Sequence, residues 1–160
     1  MQIFDRCCVS IILLACLVSP AAAADPAGEW LVAEGTARIR IEPCGDALWG
    51  VISWAKKPGK DENNPDPTKR DRSIIGMPIL LKMKKVESNR WDGEVYNAEN
   101  GKTYTSRISL VKDDVLRIEG CVLAGLFCGG ENWTRFTSAT DLPAPAAKPA
   151  PAAKQKDVCP

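Results

Sequence analysis

The residues with the most chemistry to offer lie between Lys60 and Gly76. Asp61, Glu62, Asn63, Asn64, Asp66 and Asp71 interleave there with Lys60, Lys69, Arg70 and Arg72, and Pro65 and Pro67 stiffen the run. Asp61, Asn63, Asn64 and Asp66 could offer hard oxygens to Ca²⁺, which takes about six to eight of them. The spacing lacks the central Gly and terminal Glu of a helix-flanked calcium loop, so no metal is assigned. Asp61 and Asp66 could act as an acid–base pair, but nothing sets them on facing strands at glycosidase separation. A third reading is an ordered lid in which Asp and Asn side chains cap turns and Arg70 or Arg72 pairs with Asp66 or Asp71. Binding residues concentrate on ordered loops carried by rigid scaffolds. Asp61, Asn63, Asn64, Asp66, Arg70 and Arg72 are therefore the candidate ligand-binding residues.

Elsewhere the chain is poor in catalytic groups. It contains no His, which removes the commonest general base, the commonest metal ligand and every His-based triad. Ser53, Ser73, Ser106 and Ser109 thus have no His base, and Gly129-Gly130 precedes a strand pattern rather than the helix a phosphate loop needs. No catalytic residue and no cofactor is assigned. Lys and Arg total 21 against 20 Asp and Glu, a net charge of +1, so nucleic acid is not an expected partner.

The two ends speak to compartment. Val9 to Val18 is an apolar run of ten residues after Arg6, well short of the roughly 20 that span a bilayer. Ala22-x-Ala24 then suits cleavage before Asp25, so residues 1–24 read as a secretory signal and the mature protein as periplasmic or secreted, with no membrane span. Lipoprotein processing at Cys16 is the competing reading. At the other end, Pro143 to Ala153 is built only from Pro, Ala and Lys, a composition that cannot offset the entropy of ordering. Residues 138–160 are expected to form a disordered tail.

Removing residues 1–24 leaves Cys44, Cys121, Cys128 and Cys159, an even number for an oxidising space. Cys121 and Cys128 sit at opposite ends of a short, apolar, Gly-rich loop and are candidates to bridge. Cys44 and Cys159 are then what remains, either paired or with Cys159 free on the tail. Neither CxxC spacing nor His favours zinc.

The elements that must position these groups, over residues 25–137, are strands. Period-two alternation recurs in Gly28–Ala33, Thr36–Glu42, Leu48–Trp54, Ile79–Val86, Arg90–Tyr96, Lys102–Val111, Val115–Cys121 and Glu131–Thr137. Glu34-Gly35 and Asn100-Gly101 signal tight turns, the latter of type I′. Leu48, Gly50, Ile52 and Trp54 share one face of their strand on strict alternation. Eight antiparallel strands joined mostly by short turns close most economically as an up-and-down barrel. Its interior is either packed or wide enough for one small ligand, with Trp54, Trp91, Tyr96 and Tyr104 as candidate inward residues.

The Gly28-x-Trp30 opening and the Trp133-Thr134-Arg135 close resemble the lipocalin and avidin superfamily of small barrels. That resemblance implies that Trp30 plugs one barrel end with Arg135 across its ring, a cation–π closure of first strand on last. More specifically, the chain is similar to the secreted bacterial family known as domain of unknown function 2147. The matching positions are Gly28, Arg40-Ile41, Cys44-Gly45, Leu48, Gly50, Ile52, Asp61 to Arg70, Gly76, Trp91-Asp92-Gly93, Tyr96, Asn100 to Lys102, Tyr104, Gly120-Cys121 and Trp133 to Arg135. The resemblance implies a calycin-like barrel, an envelope location and no established activity. The family commonly carries a second Cys where this chain has Trp49, so the local pairing implied for Cys44 has no partner here and its redox state stays open. The expectation is a non-enzymatic barrel binding a small or lipid-like ligand at its mouth beside the Asp61–Arg72 loop. The alternative is a solid barrel that meets an envelope protein partner.

Overall fold

The computed structural model describes residues 25–123, 126–137, 158 and 159. Eight strands follow in order: β1 (Gly28–Leu31), β2 (Ala37–Cys44), β3 (Ala47–Ala55), β4 (Pro78–Glu87), β5 (Arg90–Asn97), β6 (Lys102–Lys112), β7 (Val115–Val122) and β8 (Phe127–Arg135). Each pairs antiparallel with its sequence neighbour and β8 returns to β1, giving a closed barrel. One 3-10 turn, Pro67–Lys69, is the only helical element among the described residues. The residues proposed as a signal peptide lie outside the described part.

Register defines the inside. Ile41, Gly50, Leu80, Val95 and Tyr104 follow one another across β2 to β6, and Ile108, Ile118 and Glu131 across β6 to β8. Gly50 is required by this packing: a Cβ there would lie 2.9 Å from the Leu80 side chain. Trp30, Ile39, Ile41, Leu80, Met83, Ile108 and Leu116 are at most 1% exposed. All of these but Ile39, which lies above the others, pack the lower half of the barrel, toward the β2–β3, β4–β5 and β6–β7 turns.

That lower end is closed by the first and last strands. Trp30 pairs with Arg135 across the β1–β8 seam, and the guanidinium lies 4.2 Å from the indole centroid. Arg135 also donates Nε to Asp113 O at 2.6 Å, Nη1 to Ala27 O at 2.7 Å and Nη2 to Asp25 O at 2.8 Å. One planar fork thus ties the N-terminal segment, the β6–β7 turn and β8 together. Gly28 adopts φ 122°, a backbone conformation that side chains disfavour, and a Cβ there would lie 3.0 Å from Arg135 Nη1.

Several expectations need correction. Trp54 does not face inward. A bulge between Arg38 and Ile39 shifts the β2–β3 register, so that Ile39 faces Ile52 but Arg38 faces Trp54. The ring turns outward, 37% exposed, and Arg38 lies between it and Phe136, 4.8 and 4.2 Å from the two centroids. The β5–β6 connection is not a two-residue type I′ turn. It runs from Ala98 to Gly101, closed by Gly101 N–H on Asn97 O at 2.8 Å, and only Gly101 of the Asn100-Gly101 pair has positive φ. The last strand starts at Phe127 rather than Glu131, because Gly129 and Gly130 hide strand character while permitting close approach. A Cβ on Gly130 would fall 1.9 Å from Ile118 O.

The tail expected over residues 138–160 is described only at Val158 and Cys159. These two are anchored: Val158 is buried and Cys159 is disulfide-bonded to Cys44, 115 positions earlier. Burial of an apolar side chain beside the bond explains why this end of the chain is held rather than free. A second disulfide joins Cys121 to Cys128, which face each other in the β7–β8 register.

Candidate functional site

The upper half of the barrel is hollow. A cavity of about 1010 Å³ opens among the β1–β2, β3–β4, β5–β6 and β7–β8 connections. Ile39, Ile52, Ile79, Val95, Ile118 and Trp133 supply its apolar wall. Two glycines make the room. Gly120 and Gly129 face each other across β7 and β8, both line the cavity, and no atom lies within 4 Å of a Cβ built on Gly129. A larger residue at either position would fill space that is now empty.

Polar groups on this wall are few. Glu131, half-buried, accepts a hydrogen bond from the Trp133 indole N–H at 2.5 Å. Glu34 and Glu99 stand exposed at the rim on the β1–β2 and β5–β6 turns, and Tyr104 lines the wall beneath. The Tyr104 hydroxyl accepts from Asn100 Nδ2 at 3.0 Å. Among the described residues no Lys or Arg lines the cavity. Beside the mouth, the β7–β8 hairpin carries Leu123, Leu126 and Phe127, between 65% and 78% exposed, and the Cys121–Cys128 bond clips its base.

The 56–77 connection borders the mouth without offering its polar side chains to the cavity. None of Asp61, Asn63, Asn64, Asp66, Arg70 and Arg72 is among the lining residues. They bond one another and the barrel instead. A short ladder forms the loop's neck: Asp61 N–H donates to Arg72 O and Ile74 N–H to Gly59 O, each at 3.0 Å. This sets Asp61 opposite Arg72, and the carboxylate is fully buried at 0% exposure. Its Oδ1 accepts the Tyr96 hydroxyl at 2.6 Å. Its Oδ2 accepts Asn64 Nδ2 at 2.6 Å, Arg72 Nε at 2.9 Å and Arg72 Nη2 at 2.8 Å. Asn64 Nδ2 also donates to the Tyr96 hydroxyl at 3.1 Å, so every group in the cluster has a partner.

Electrostatics follow from these contacts. Burial pushes the Asp61 carboxyl upward, but the Tyr96 and Asn64 hydrogen bonds and the Arg72 bond and charge outweigh it together, holding Asp61 below the usual carboxylate range. Burial, then the adjoining Asp61, pushes the Tyr96 phenol above its usual value. The loop's other acid, Asp66, caps the 3-10 turn: its Oδ1 accepts Thr68 N–H at 3.0 Å and Thr68 Oγ1–H at 2.7 Å. With Lys69 3.1 Å away, Asp66 is lowered to about 2, chiefly by the Thr68 bonds. The expected pairing of Arg70 or Arg72 with Asp66 or Asp71 is therefore replaced. Arg72 takes Asp61, Arg70 Nε donates to Asn64 O at 2.8 Å, and the exposed Lys60 takes Asp71 at 2.7 Å. Asp66 is spent on its cap, and the neck ladder brings Arg72 to Asp61 first.

Asn63 reaches across to the barrel, donating Nδ2 to Glu99 O at 2.9 Å. Its own carbonyl presses on Gly101, where a Cβ would sit 1.8 Å away. The loop is thus locked on the β5–β6 turn at one edge of the mouth. Only Ile74, past the neck, enters the cavity wall. Of the residues expected to face inward, Tyr96 and Tyr104 line this cavity and Trp91 is buried in the core, whereas the aliphatic wall was not singled out because its residues read as ordinary strand positions. The one usable signal was Gly120 and Gly129, each on the inward alternation of a strand flanking the same short hairpin.

Comparison with known proteins places this arrangement. Among curated proteins none matches the chain. Among solved structures, a protein of Helicobacter pylori, HP1028, described as belonging to the lipocalin family, superposes with a TM-score of 0.66 at 22% identity. The match covers 72% of this chain and 85% of that one. At that identity the likeness concerns the fold alone. A sequence model of the bacterial family described as "Uncharacterized protein conserved in bacteria (DUF2147)" matches residues 28–135, a span from the first strand to the Arg that closes the last, and the chain belongs to that family.

Proposed function

We propose that this protein is a non-enzymatic carrier or receptor for a small apolar or amphipathic molecule, held in the open half of the barrel and working outside the cytoplasm. The observation that carries the reading is the cavity itself: about 1010 Å³, walled by aliphatic side chains and Trp133. Binding pockets for small molecules are typically concave, mostly apolar and roughly 300–1,000 Å³. The lower half is packed solid and closed by Trp30 and Arg135, so a ligand enters and leaves only from above. The 56–77 loop contributes rigidity at the rim and Ile74 to the wall, and its Asp–Asn–Arg cluster serves as a latch rather than as the ligand's partner. The lipocalin description of the Helicobacter pylori protein agrees with this use of the fold. Export is supported by the signal-like residues 1–24 and by two disulfides, which persist in oxidising spaces.

Catalysis is not part of the reading. The chain has no His, and of the three acids lining the cavity Glu34 and Glu99 stand at the rim while Glu131 is bonded to an indole. A protein-interaction role is favoured by one observation, the exposed Leu123, Leu126 and Phe127 of the β7–β8 hairpin. Native mass spectrometry of protein from a periplasmic extract, without detergent or chelator, separates the two. A retained small-molecule mass that is lost on denaturation is expected. A bare mass together with co-purification of a protein through the hairpin would contradict the carrier reading.

A further inference from the structure

The charge of the wall says which amphiphiles the cavity takes. Among the described residues three that line it are glutamates, Glu34, Glu99 and Glu131, and none is Lys or Arg. Glu131 alone lies on a strand rather than at the rim, in register with Ile118 and two residues from the buried Trp133. The indole N–H occupies Oε1. A carboxylate has two oxygens and about four lone-pair sites, so it keeps accepting capacity toward the cavity.

We infer, resting on the carrier reading above, that the cavity selects an apolar chain ending in a protonated amine over one ending in a carboxylate, with Glu131 as the residue that reads the head group. An ammonium entering this wall exchanges water for a carboxylate already fixed by Trp133, in apolar surroundings that strengthen the attraction. A carboxylate entering the same place loses its hydration, meets like charge and finds no cation. Glu34 and Glu99 at the rim add a field of the same sign along the entry path.

Isothermal titration of the intact, disulfide-bonded protein with dodecylamine, dodecanol and dodecanoate tests this at neutral pH, each ligand below its aggregation threshold. Dodecylamine is expected to bind at least about tenfold more tightly than dodecanoate. Glu131→Gln is expected to lower the dodecylamine affinity by about tenfold and to raise that of dodecanoate, collapsing the ratio. The wild-type ratio needs no variant, so a Glu131→Gln chain that failed to fold would leave the test intact. Dodecanoate binding as tightly as dodecylamine, with dodecanol also bound, would overturn the charge selection and leave the carrier reading standing. Failure of all three ligands to bind would overturn both.

Discussion

At the scale of single residues, Asp61 and Arg135 each tie several segments together, one at each end of the barrel. Asp61 is fully buried and satisfied by Tyr96, Asn64 and Arg72. Its lowered pKa means that the unfolded chain binds the proton more readily. The latch therefore stabilises the fold above about pH 4 and loses that contribution as acid protonates the native carboxylate. Tyr96, raised in the native state, works in the opposite direction. Its contribution is present below about pH 10 and is lost as pH rises through the native value. Tyr96→Phe leaves Asp61 one donor short and should cost about 1–3 kcal/mol near neutrality. Urea unfolding of both proteins across pH checks this, and the difference should shrink at acid pH, where the wild-type advantage is titrated away. Arg135→Lys should cost about 2 kcal/mol in the same assay, because an ammonium cannot hold three carbonyls and an indole face from one position. That these residues carry polar work was legible from their types. Which Asp meets which Arg was not, because the pairing is set by the loop's neck ladder, a contact between residues 11 apart.

At the scale of elements, the instructive pieces are the loop and the β7–β8 hairpin. The loop reads as ordered from its Pro, Asn and Asp residues, and its place beside the mouth follows from joining β3 to β4 at that end. That its polar side chains stay out of the cavity could not be read, because facing in or out depends on how Asn63 seats against Gly101. Gly101→Ala should displace the loop without dissolving the barrel. The expected outcome is faster amide exchange over 60–73 with the protection of β4 to β8 retained, and unchanged exchange in the loop would contradict the seating. Strand alternation located the hairpin's base but misjudged its length, because two glycines mimic a loop where close packing on Ile118 O demands them. The β2–β3 bulge is equally invisible in the sequence, and it alone turns Trp54 outward.

At the scale of the whole molecule, the barrel was the most legible feature, since eight alternating segments with short connections leave few other closures. The hollow upper half was not, because inward and outward faces exchange at each bulge, and a cavity is defined by what is missing. The Cys44–Cys159 bond is a second whole-chain device. It encloses 115 positions of sequence, so its loss should cost about 3–5 kcal/mol, against about 2 for the seven-position Cys121–Cys128 bond. Paired Cys→Ser variants compared by urea unfolding test that order, and equal losses would contradict it.

The most direct test of the cavity as a binding site uses Nile red, a neutral apolar dye, titrated into the wild-type protein and into Gly129→Phe. Gly129 has open space where its side chain would go, so the Phe ring should fill the cavity while the unfolding midpoint stays close to wild type. The account predicts saturable, one-to-one dye binding to the wild type, weakened by about tenfold or more in Gly129→Phe. No binding by the wild type, or equal binding by a folded Gly129→Phe, would contradict it.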